Sequence, residues 1–430
     1  MQRTVRPVRR LRGTIVPPGD KSISHRAAIL NAIAQGEAVI ENFQRGADCL
    51  ATLRCLRLLG VPWHWRGDAT LVVQGVGRTG LQEPPAVLDC RNSGTTIRLL
   101  TGLLAGQRFF SVLTGDGSLR SRPMARVVEP LRQMGARISG REGDRKAPLA
   151  VHGTPLTGIR YRMPVASAQV KSALLLAGLY ADGETVVEEP APSRDHTERL
   201  LAAMGAPLAA DGQRVVAVRR PQGELSALSL RIPGDISAAA PWLVLAAVHP
   251  DAEVRIESVG INPSRAGIID VLRAMGADLG VVNKRTWGAE PVADIVVRSS
   301  RLRGTVIGSE LVPRTIDELP LLALAGCLAE GETVIRGAQE LRVKESDRVR
   351  TTAEGLRRLG AEVEERPDGL RVWGPQRLCG GSASSHGDHR LAMMLTVAGC
   401  LASGETAIRN SDVVAVSYPM FWHDLDSISE

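Results

Sequence analysis

The 430-residue chain has few aromatic side chains, since phenylalanine, tryptophan and tyrosine together make up 3% of it. Proteins that bind single-stranded nucleic acid stack its bases on aromatic side chains, so this shortage argues against that class. The net charge is +7 at pH 7, yet apart from the arginine-rich opening, residues 1–12, the basic residues are dispersed. We therefore expect the positive charge to serve small acidic molecules and not nucleic acid.

Long apolar runs and paired cysteines are also missing. The most apolar stretch, residues 173–180, is far too short to cross a bilayer, and the first 20 residues lack the apolar segment of a secretory signal. The six cysteines include no C-x-x-C pair, and a disulfide framework is unusual in a chain this long. The sequence thus predicts a cytosolic protein with reduced thiols and no membrane association.

Recognisable cofactor, metal and nucleophile motifs are absent as well. No Walker A sequence or H-E-x-x-H occurs, and the G-x-G-x-x-G at 75–80 leads into LQEPPAV, which cannot open the helix of a dinucleotide site. Of the eight histidines only His386 and His389 lie close together, which is too few ligands for a metal. No serine–histidine–acid set can be assembled from the spacing. We therefore expect neither a metal nor an organic cofactor.

What the chain does contain is an internal repeat. An amphipathic helix that ends in a Gly-Ala-like pair recurs at intervals of roughly 70 to 85 residues. Its glycines are Gly60, Gly135, Gly205, Gly276 and Gly360. A glycine at this place is typical of a left-handed helix C-cap, and a strand-like run follows it in most copies. Upstream of each lies an apolar helix with a tight turn and a short strand, and this second element occurs six times, the last near the C-terminus.

Six such units predict an α/β protein of two domains. A chain of 430 residues is too long for one compact core. The upstream helices are apolar nearly all round, so each is expected to be buried at the centre of a domain. Three units around each of two cores fit the length, with a boundary near Pro233-Gly234.

Polar, glycine-containing segments precede the six apolar helices. They read PPGDKSISHR, CRNSGTTIR, PVASAQVKS, IPGDISAAA, RTIDELP and SSHGDHR. N-capping by Ser, Thr, Asp and Asn accounts for about half of these residues. It leaves unexplained Lys21, Arg26, Gln169, Lys171, His389 and Arg390. Because helix N-termini attract anions, we predict that the six helix starts gather around small, highly anionic molecules.

Loops that follow the strands carry further charge. RSRPM (120–124) has two arginines ahead of a proline and looks like a phosphate or carboxylate clamp. SRDH (193–196), PSR (263–265) and KESDR (344–348) lie at comparable places. KESDR has two interpretations, a solvated helix face with charge pairs about one turn apart or part of the anion site.

These segments resemble the signature blocks of the 5-enolpyruvylshikimate-3-phosphate synthase family. The blocks are PGDKSISHR (18–26), NSGTTIR (92–98), RSRPM, SAQVKSALLLAGL, RTIDELP, LRVKESDR (341–348) and GDHR (387–390), in the family order from residue 12 to about 422. The resemblance implies two three-unit domains, each an inside-out α/β barrel with helices within and sheets outside. It implies a discontinuous first domain of residues 1–18 and 235–430 and a second of 19–234. It further implies an active site in the cleft between them and a hinge near Gly19 and Gly234.

The resemblance also implies the reaction. The enolpyruvyl group of phosphoenolpyruvate is transferred to the 5-hydroxyl of shikimate 3-phosphate, and phosphate is released, by addition and then elimination. This step belongs to the shikimate pathway, which leads to chorismate and the aromatic amino acids. No metal or organic cofactor is implied, and the family suggests a cytoplasmic monomer.

Family roles fall on matching positions of this sequence. For shikimate 3-phosphate these are Lys21, Ser22, Arg26, Ser167, Ala168 through its backbone, Gln169, Arg194, Asp317 and Lys344. For phosphoenolpyruvate they are Lys21, Gly94, Arg122, Gln169, Arg348 and Arg390. Asp317 is the implied base for the 5-hydroxyl, Glu345 and Lys21 are candidates for the proton at C3, and His389 is a possible assistant. Gly94 implies inhibition by glyphosate, because the missing side chain leaves room for it.

Two departures and two alternatives accompany the resemblance. Val416 stands where the family often has a lysine before Ser417-Tyr418-Pro419, and Ala168 stands where many members have a second serine. The sister family, UDP-N-acetylglucosamine enolpyruvyl transferase, usually carries a reactive cysteine in the second-unit loop, but TGDGSLRSRPM (114–124) has none. A non-enzymatic anion- or RNA-binding protein of related fold would have no use for Asp317 and Glu345 among so many cations.

Overall fold

The computed structural model describes residues 1–211 and 214–430. Its strands are β1 Gln2–Val5, β2 Leu11–Ile15, β3 Ala34–Glu41, β4 Trp63–Arg66, β5 Thr70–Val76, β6 Leu88–Asp89, β7 Phe110–Thr114, β8 Arg137–Gly140, β9 Lys146–His152, β10 Arg160–Arg162, β11 Glu184–Glu188, β12 Leu208–Ala210, β13 Val215–Arg219, β14 Leu225–Ser226, β15 Leu230–Arg231, β16 Ala252–Gly260, β17 Asp278–Trp287, β18 Glu290–Arg298, β19 Val306–Ile307, β20 Gly331–Ile335, β21 Val363–Arg366, β22 Gly369–Gly374, β23 Gly381–Ser384 and β24 Thr406–Arg409. Its α-helices are α1 Lys21–Ala32, α2 Ala47–Leu58, α3 Gly94–Ala105, α4 Gly117–Ser121, α5 Ala125–Gln133, the turn-like α6 Arg141–Asp144, α7 Ala168–Gly178, α8 His196–Ala203, α9 Ile236–Val248, α10 Gly267–Ala274, α11 Val312–Thr315, α12 Leu319–Leu328, α13 Arg348–Arg358, α14 His389–Leu401 and α15 Phe421–Ile428. Short 3₁₀ helices cover Gln339–Val343 and Ser411–Val416.

The chain divides into two compact units. Unit 1 comprises Met1–Pro18, Pro233–Thr286 and Pro291–Glu430, and unit 2 comprises Gly19–Ile232 and Trp287–Glu290. Pro233 and Gly234 therefore lie in unit 1, although the sequence placed them at the end of the second domain. The turn between β17 and β18 belongs to unit 2, which no sequence pattern indicated.

Unit 2 contains three copies of one module. Its sheets run β14-β3-β5-β4, with β15 also on β3, then β6-β7-β9-β8 and β10-β11-β13-β12. In the second sheet the parallel strands β6 and β7 are connected through the buried helix α3. In the third sheet β10 and β11 are connected in the same way through α7. Parallel neighbours need such a crossover. In the first sheet the parallel partners of β3 come instead from the end of the unit, as β14 and β15.

Unit 1 repeats the module with two strands taken from the chain's beginning. Its sheets run β17-β18-β16-β2, β19-β20-β22-β21 and β1-β24-β23. The strand β2 lies parallel to β16, and β1 lies antiparallel to β24. The last sheet has three strands. In the other copies the helix after the central strand leads into a hairpin, whereas no strand follows the helix α15 among the described residues.

The six upstream helices form the cores of the two units. Every residue from Ile236 to Ala247 in α9 is buried, as is every residue from His389 to Cys400 in α14. The helices α1, α3 and α7 contribute buried residues to the core of unit 2 in the same way. The predicted α/β fold, with six repeated units, helices inside and sheets outside, is confirmed.

The recurring glycines end their helices as predicted. All five have a positive φ, between 82° and 97°. In each copy the backbone N–H of the residue directly after the glycine donates to a carbonyl in the last turn of the helix, at 2.9–3.0 Å. These pairs are Val61–Leu56, Ala136–Leu131, Ala206–Leu201, Ala277–Leu272 and Ala361–Leu356. This is the Schellman motif, in which glycine avoids the steric cost of the left-handed conformation.

A different glycine lets two core helices approach each other. A Cβ at Gly102 in α3 would lie 2.2 Å from the carbonyl oxygen of Ala173 in α7 and 2.7 Å from its carbonyl carbon. Backbone atoms cannot move aside as a side chain can. The pair α3–α7 is therefore packed at a distance that only glycine permits at this position.

Replacing Gly102 with alanine is expected to destabilise unit 2. Higher helix propensity favours alanine by about 1 kcal/mol, but overpacking against a backbone costs about 1–3 kcal/mol. Because the added Cβ would lie 2.2 Å from a backbone atom, we take the upper half of that range and expect a net loss of about 1–2 kcal/mol, measured as a lower urea midpoint in chemical denaturation. Gly117→Ala is the matched control, because no atom lies within 4 Å of a Cβ there. A stability of Gly102→Ala equal to that of the control would contradict the prediction.

The arginine-rich opening is matched by acidic residues of unit 1. Arg3 pairs with Asp426 at 3.4 Å and Arg6 with Glu405 at 2.9 Å. Arg10 and Arg12 both reach the carboxylate of Asp251. The local excess of positive charge is thus largely balanced within the fold.

Candidate active site

In unit 2, the first predicted cluster forms at the start of α1. Asp20 caps this helix by accepting a hydrogen bond from the backbone N–H of Ile23 at 2.9 Å. Lys21 is the first helical residue, and its Nζ lies 3.0 Å from Oδ2 of Asp48. The pair keeps the ammonium group at the helix N-terminus, where the helix dipole would otherwise repel it.

Arg26 lies one turn further along α1 and is buried. Its Nε donates to the hydroxyl of Thr197 at 2.7 Å, Nη2 donates to the hydroxyl of Ser172 at 2.8 Å, and Nη1 donates to the carbonyl of Ser22 at 3.0 Å. Burial lowers the pKa of Arg26 to about 10, and nearby Glu198 opposes this effect. Since each terminal nitrogen carries two N–H groups, these contacts hold the guanidinium in place and leave it donors for a carboxylate.

Arg194 and the start of α7 complete this cluster. Nη1 of Arg194 lies 3.4 Å from the hydroxyl of Ser22. Ser167 caps α7 through its hydroxyl, which accepts from the backbone N–H of Val170 at 3.4 Å, and Ala168 and Gln169 are the first helical residues. The structure thus connects Ser22, Arg26 and Arg194 directly, with Ser172 of α7 bridging to Arg26.

A second cluster of unit 2 surrounds the start of α3. Ser93 caps the helix by accepting from the backbone N–H of Thr96 at 3.1 Å, which leaves Gly94 as the first helical residue. A Cβ added at Gly94 would lie 3.3 Å from Nη1 of Arg122 and 2.6 Å from Nη1 of Arg98. Two guanidinium groups therefore lie against the bare backbone of this helix start.

Arg98 links this second cluster to the first. Its Nη1 donates to Oε1 of Gln169 at 2.8 Å and to the carbonyl of Gly94 at 3.2 Å. Arg122 is held by the side chains of Asn92 and Ser118. No role for Arg98 was predicted from the sequence, although it is the last residue of the NSGTTIR block.

In unit 1, Arg348 is surrounded by three carboxylates. Its side chain is 1% exposed. Nη1 donates to Asp317 at 3.1 Å, Nη2 to Glu345 at 2.8 Å, and Nε to Asp388 at 2.7 Å. Burial alone would lower the pKa of Arg348, but Asp388, Glu345 and Asp317 raise it above its usual value. Arg348 is thus a permanent cation that fixes both predicted acid–base residues, Asp317 and Glu345.

This arrangement excludes one of the two interpretations of KESDR. Residues 344–347 form a turn before α13, and Asp347 caps that helix by accepting from the backbone N–H of Arg350 at 3.1 Å. Arg348 is buried, so a solvated helix face is wrong. Lys344 lies half-buried in the same turn.

Asp317 is held from its other side by Arg265. Nη1 of Arg265 donates to Oδ2 of Asp317 at 3.4 Å, and its Nη2 reaches Asp235 at 3.3 Å and the hydroxyl of Ser237. The neighbouring Glu318 is fully buried, lies 3.5 Å from Arg265 and also bonds to Ser237. Burial raises the pKa of Glu318, and Arg265 opposes the increase. Neither Arg265 nor Glu318 was predicted from the sequence. PSR and RTIDELP mark their segments as charged, but they do not show that these two side chains are buried.

The last two predicted residues of unit 1 begin α14. Asp388 caps this helix by accepting from the backbone N–H of Arg390 at 2.9 Å. Both His389 and Arg390 are buried, and Nη1 of Arg390 donates to the carbonyl of Ser237 at 3.1 Å. Ser237 is therefore the point at which Arg265, Glu318 and Arg390 meet.

Comparison with known proteins assigns the chain to a family. The family model described as EPSP synthase (3-phosphoshikimate 1-carboxyvinyltransferase) matches residues 5–425. The chain belongs to this EPSP synthase family. It is 55% identical to the 3-phosphoshikimate 1-carboxyvinyltransferase of Desulforudis audaxviator over 424 residues, which cover 99% of this chain and 98% of the relative. The same enzyme of Roseiflexus castenholzii is also 55% identical over 424 residues, with 98% of both chains covered.

Solved structures agree with this assignment. The EPSP synthase from Acinetobacter baumannii superposes with a TM-score of 0.89 at 43% identity, covering 100% of this chain and 98% of that one. The enolpyruvyl transferase NikO from Streptomyces tendae shares the fold, with a TM-score of 0.81 at 21% identity and coverage of 99% and 96%. As a member of the EPSP synthase family, the chain is a transferase, and the resemblance stated from its motifs is confirmed.

Three further observations bear on this member of the EPSP synthase family. In residues 1–211 and 214–430, no group of three or more His, Cys, Asp or Glu side chains is arranged to hold a metal ion. None of the helices in that part of the chain has the length and hydrophobicity of a membrane span. Val416, where the family often has a lysine, ends a 3₁₀ helix half-buried and followed by the buried Ser417 and Tyr418.

Proposed function

We propose that the chain transfers the enolpyruvyl group of phosphoenolpyruvate to the 5-hydroxyl of shikimate 3-phosphate and releases phosphate. One observation supports this function above the others: Arg348 holds Asp317 and Glu345 together, each within 3.1 Å of its guanidinium. A protein that only binds anions gains nothing from two carboxylates among its cations, because they repel the ligand. A proton-transfer reaction on an anionic substrate requires them.

The first cluster of unit 2 fits the acceptor. Arg26, fixed by Ser172 and Thr197, can bind the shikimate carboxylate through parallel N–H groups, and Ser22 adds a hydroxyl. Arg194 and the start of α7, with Ser167, Ala168 and Gln169, can bind the 3-phosphate, since a helix N-terminus supplies free backbone N–H groups. We also propose Asp317 and Lys344 as acceptor contacts.

The donor needs a denser set of cations, because phosphoenolpyruvate carries both a phosphate and a carboxylate. We assign to it Lys21, Gly94, Arg122, Gln169, Arg348 and Arg390. Gly94 contributes its backbone N–H and the space beside Arg122. Several fixed cations also stabilise the charge that develops when phosphate leaves.

The chemistry is an addition followed by an elimination. Asp317 takes the proton of the 5-hydroxyl while the hydroxyl oxygen attacks C2 of the enolpyruvate. At the same time an acid delivers a proton to C3. The tetrahedral intermediate then loses that proton from C3 and expels phosphate from C2, which restores the double bond. Glu345 and Lys21 are the proposed carriers of the C3 proton, and His389 assists. General acid–base groups of this kind contribute about 10²–10⁴-fold each.

A coupled phosphate-release assay with phosphoenolpyruvate tests the proposal. We expect release with shikimate 3-phosphate as acceptor and no release with UDP-N-acetylglucosamine. Release with the UDP-sugar would instead indicate the sister activity, and no release with either acceptor would overturn the enzymatic function. We further propose that the protein works as a cytoplasmic monomer, without nucleic acid or a membrane as partner.

Gly94 leads to a prediction about inhibition. We expect glyphosate to inhibit the enzyme in competition with phosphoenolpyruvate, because Gly94 carries no side chain that would obstruct the proposed donor site. Alanine at this position would push against Arg98 and Arg122. Overpacking of about 1–3 kcal/mol corresponds to a rise of roughly fivefold to a hundredfold in the KM for phosphoenolpyruvate. The inhibition constant for glyphosate should rise at least as much.

Steady-state kinetics of Gly94→Ala check this expectation. Gly223→Ala is the control in the same unit, since a Cβ there meets no atom within 4 Å. Unchanged activity of the parent enzyme at glyphosate concentrations far above its KM for phosphoenolpyruvate would show that the pocket does not admit the inhibitor.

A further inference from the structure

Lys171 forms a buried ionic cluster in unit 2 to which no role has yet been given. It lies in α7, two residues after Gln169, and its side chain is 3% exposed. Its Nζ lies 2.6 Å from Oε2 of Glu189, 2.7 Å from Oε1 of Glu198 and 3.4 Å from the carbonyl oxygen of Ser193. Three acceptors match the three N–H groups of an ammonium ion.

The partners of Lys171 span the loop that carries Arg194. Glu189 lies directly after β11, and Glu198 lies in the first turn of α8. Glu189 also accepts from the hydroxyl of Ser193 and from its backbone N–H at 3.5 Å. Residues 189–198, here called the 189–198 loop, are thus fastened to α7 at both ends and in the middle.

The residues bonded in this cluster are sequence neighbours of residues proposed to bind the acceptor, or of residues that hold them. Ser193 immediately precedes Arg194, whose Nη1 lies 3.4 Å from Ser22. Glu198 immediately follows Thr197, and Ser172 immediately follows Lys171. The hydroxyls of Ser172 and Thr197 lie 2.7 Å apart and both accept from Arg26. A displacement of the loop would therefore move Arg194 and loosen Arg26.

Charge balance requires a cation at position 171. Burial raises the pKa of Glu198, and Lys171 opposes the rise. Burial would lower the pKa of Lys171 itself, but Glu198 and Glu189 raise it above its usual value. Without Lys171, two buried carboxylates would lose their bonded cation close to residues proposed to bind a phosphate. Like charges at such a place disfavour an anionic ligand.

We propose that Lys171 is a positioning residue for the 3-phosphate of the acceptor. Lys171 holds the 189–198 loop so that Arg194 and Arg26 face the ligand. The inference rests on the proposed function, since it concerns the same acceptor pocket. It assigns Lys171 no contact with either substrate. The effect of its loss should therefore fall on the acceptor and not on the donor or on the chemical step.

Lys171→Met tests this role, because methionine has similar length and no charge. We expect the KM for shikimate 3-phosphate to rise tenfold or more, with the KM for phosphoenolpyruvate and kcat within about twofold of the parent enzyme. Lys146→Met is the matched control, since Lys146 makes an ion pair with Glu142 at 2.9 Å in the same unit but is partly exposed. It should leave all three constants unchanged.

A double-mutant cycle identifies the path of the effect. If Lys171 acts through Arg194, then Lys171→Met in an Arg194→Ala background should raise the KM for shikimate 3-phosphate by less than about twofold, because coupled residues give non-additive effects. Additive effects, or equal increases in the KM values of both substrates, would overturn the proposal.

Ser193→Ala keeps the proposal testable if Lys171→Met does not fold. It removes one hydroxyl bond to Glu189 and leaves the ion pairs in place, so we expect a rise of about threefold in the same KM alone. An unchanged KM in a folded Ser193→Ala enzyme would count against a loop held for the phosphate. If the parent enzyme itself released no phosphate from phosphoenolpyruvate, the proposed function would fail, which is a different outcome.

Discussion

Replacement of Asp317 with alanine is expected to lower kcat by roughly 10²–10⁴-fold, the usual scale for a lost general acid or base. The same loss is expected for Glu345→Ala. The carboxylate of Asp317 is held by Arg348 at 3.1 Å and by Arg265 at 3.4 Å, so its orientation is set before the substrate arrives. Asp317→Asn keeps the shape of the side chain and removes its ability to accept the proton, and it should lose kcat to a similar extent.

Rates of phosphate release under saturating substrates provide the measurement. Asp270→Asn is the control, because Asp270 is an exposed acid of unit 1 that also pairs with an arginine, Arg314, at 2.6 Å. It should keep the kcat of the parent enzyme. Near-normal kcat in Asp317→Ala would show that another group takes the hydroxyl proton.

Loss of Arg348 is expected to damage both stability and activity. Arg348→Met leaves three carboxylates, those of Asp317, Glu345 and Asp388, without the cation that they share. Breaking a buried ion pair from one side typically costs about 3–5 kcal/mol, and the same change removes a proposed phosphoenolpyruvate contact. Arg348→Lys should recover only part of the loss, since an ammonium group lacks the planar fork that reaches three partners.

Urea denaturation measures the first effect and phosphate release the second. Arg350→Met is the control, two residues further along the same helix and exposed, and it should change the free energy of unfolding by no more than about 0.5 kcal/mol. A folded Arg348→Met enzyme with the stability of this control would mean that the three carboxylates are neutralised in another way.

Local signals account for what could be predicted of the fold. The five glycines at the helix ends need only their own backbone conformation to stop a helix, and the caps Asp20, Ser93, Ser167, Asp235 and Asp388 need only a side chain that reaches the next turn. The fifth helix start, RTIDELP, behaves differently. Its N-cap residue, Glu318, makes no side-chain cap bond and turns instead toward Arg265 and Ser237.

The missed residues of the site depend on contacts between distant parts of the chain. Arg98 contacts Gln169, 71 positions away, and Arg265 contacts Asp317, 52 positions away. Nothing in the local sequence distinguishes such an arginine from a solvated one. The family resemblance implied roles for the residues proposed to contact substrate. It implied none for the side chains that hold those residues in place.

The pairing of β1 with β24 has a consequence for folding during synthesis on the ribosome. Unit 2 has all its strands within residues 19–232, whereas the sheet β1-β24-β23 joins residues 2–5 to 406–409. Domains fold as units as they emerge, at about 5–20 residues per second, so unit 2 can complete its sheets on the order of ten seconds before β24 is synthesised. The strand made first is therefore among the last to find its partner, and a nascent chain arrested shortly before residue 406 should contain a folded unit 2 beside an unfinished unit 1.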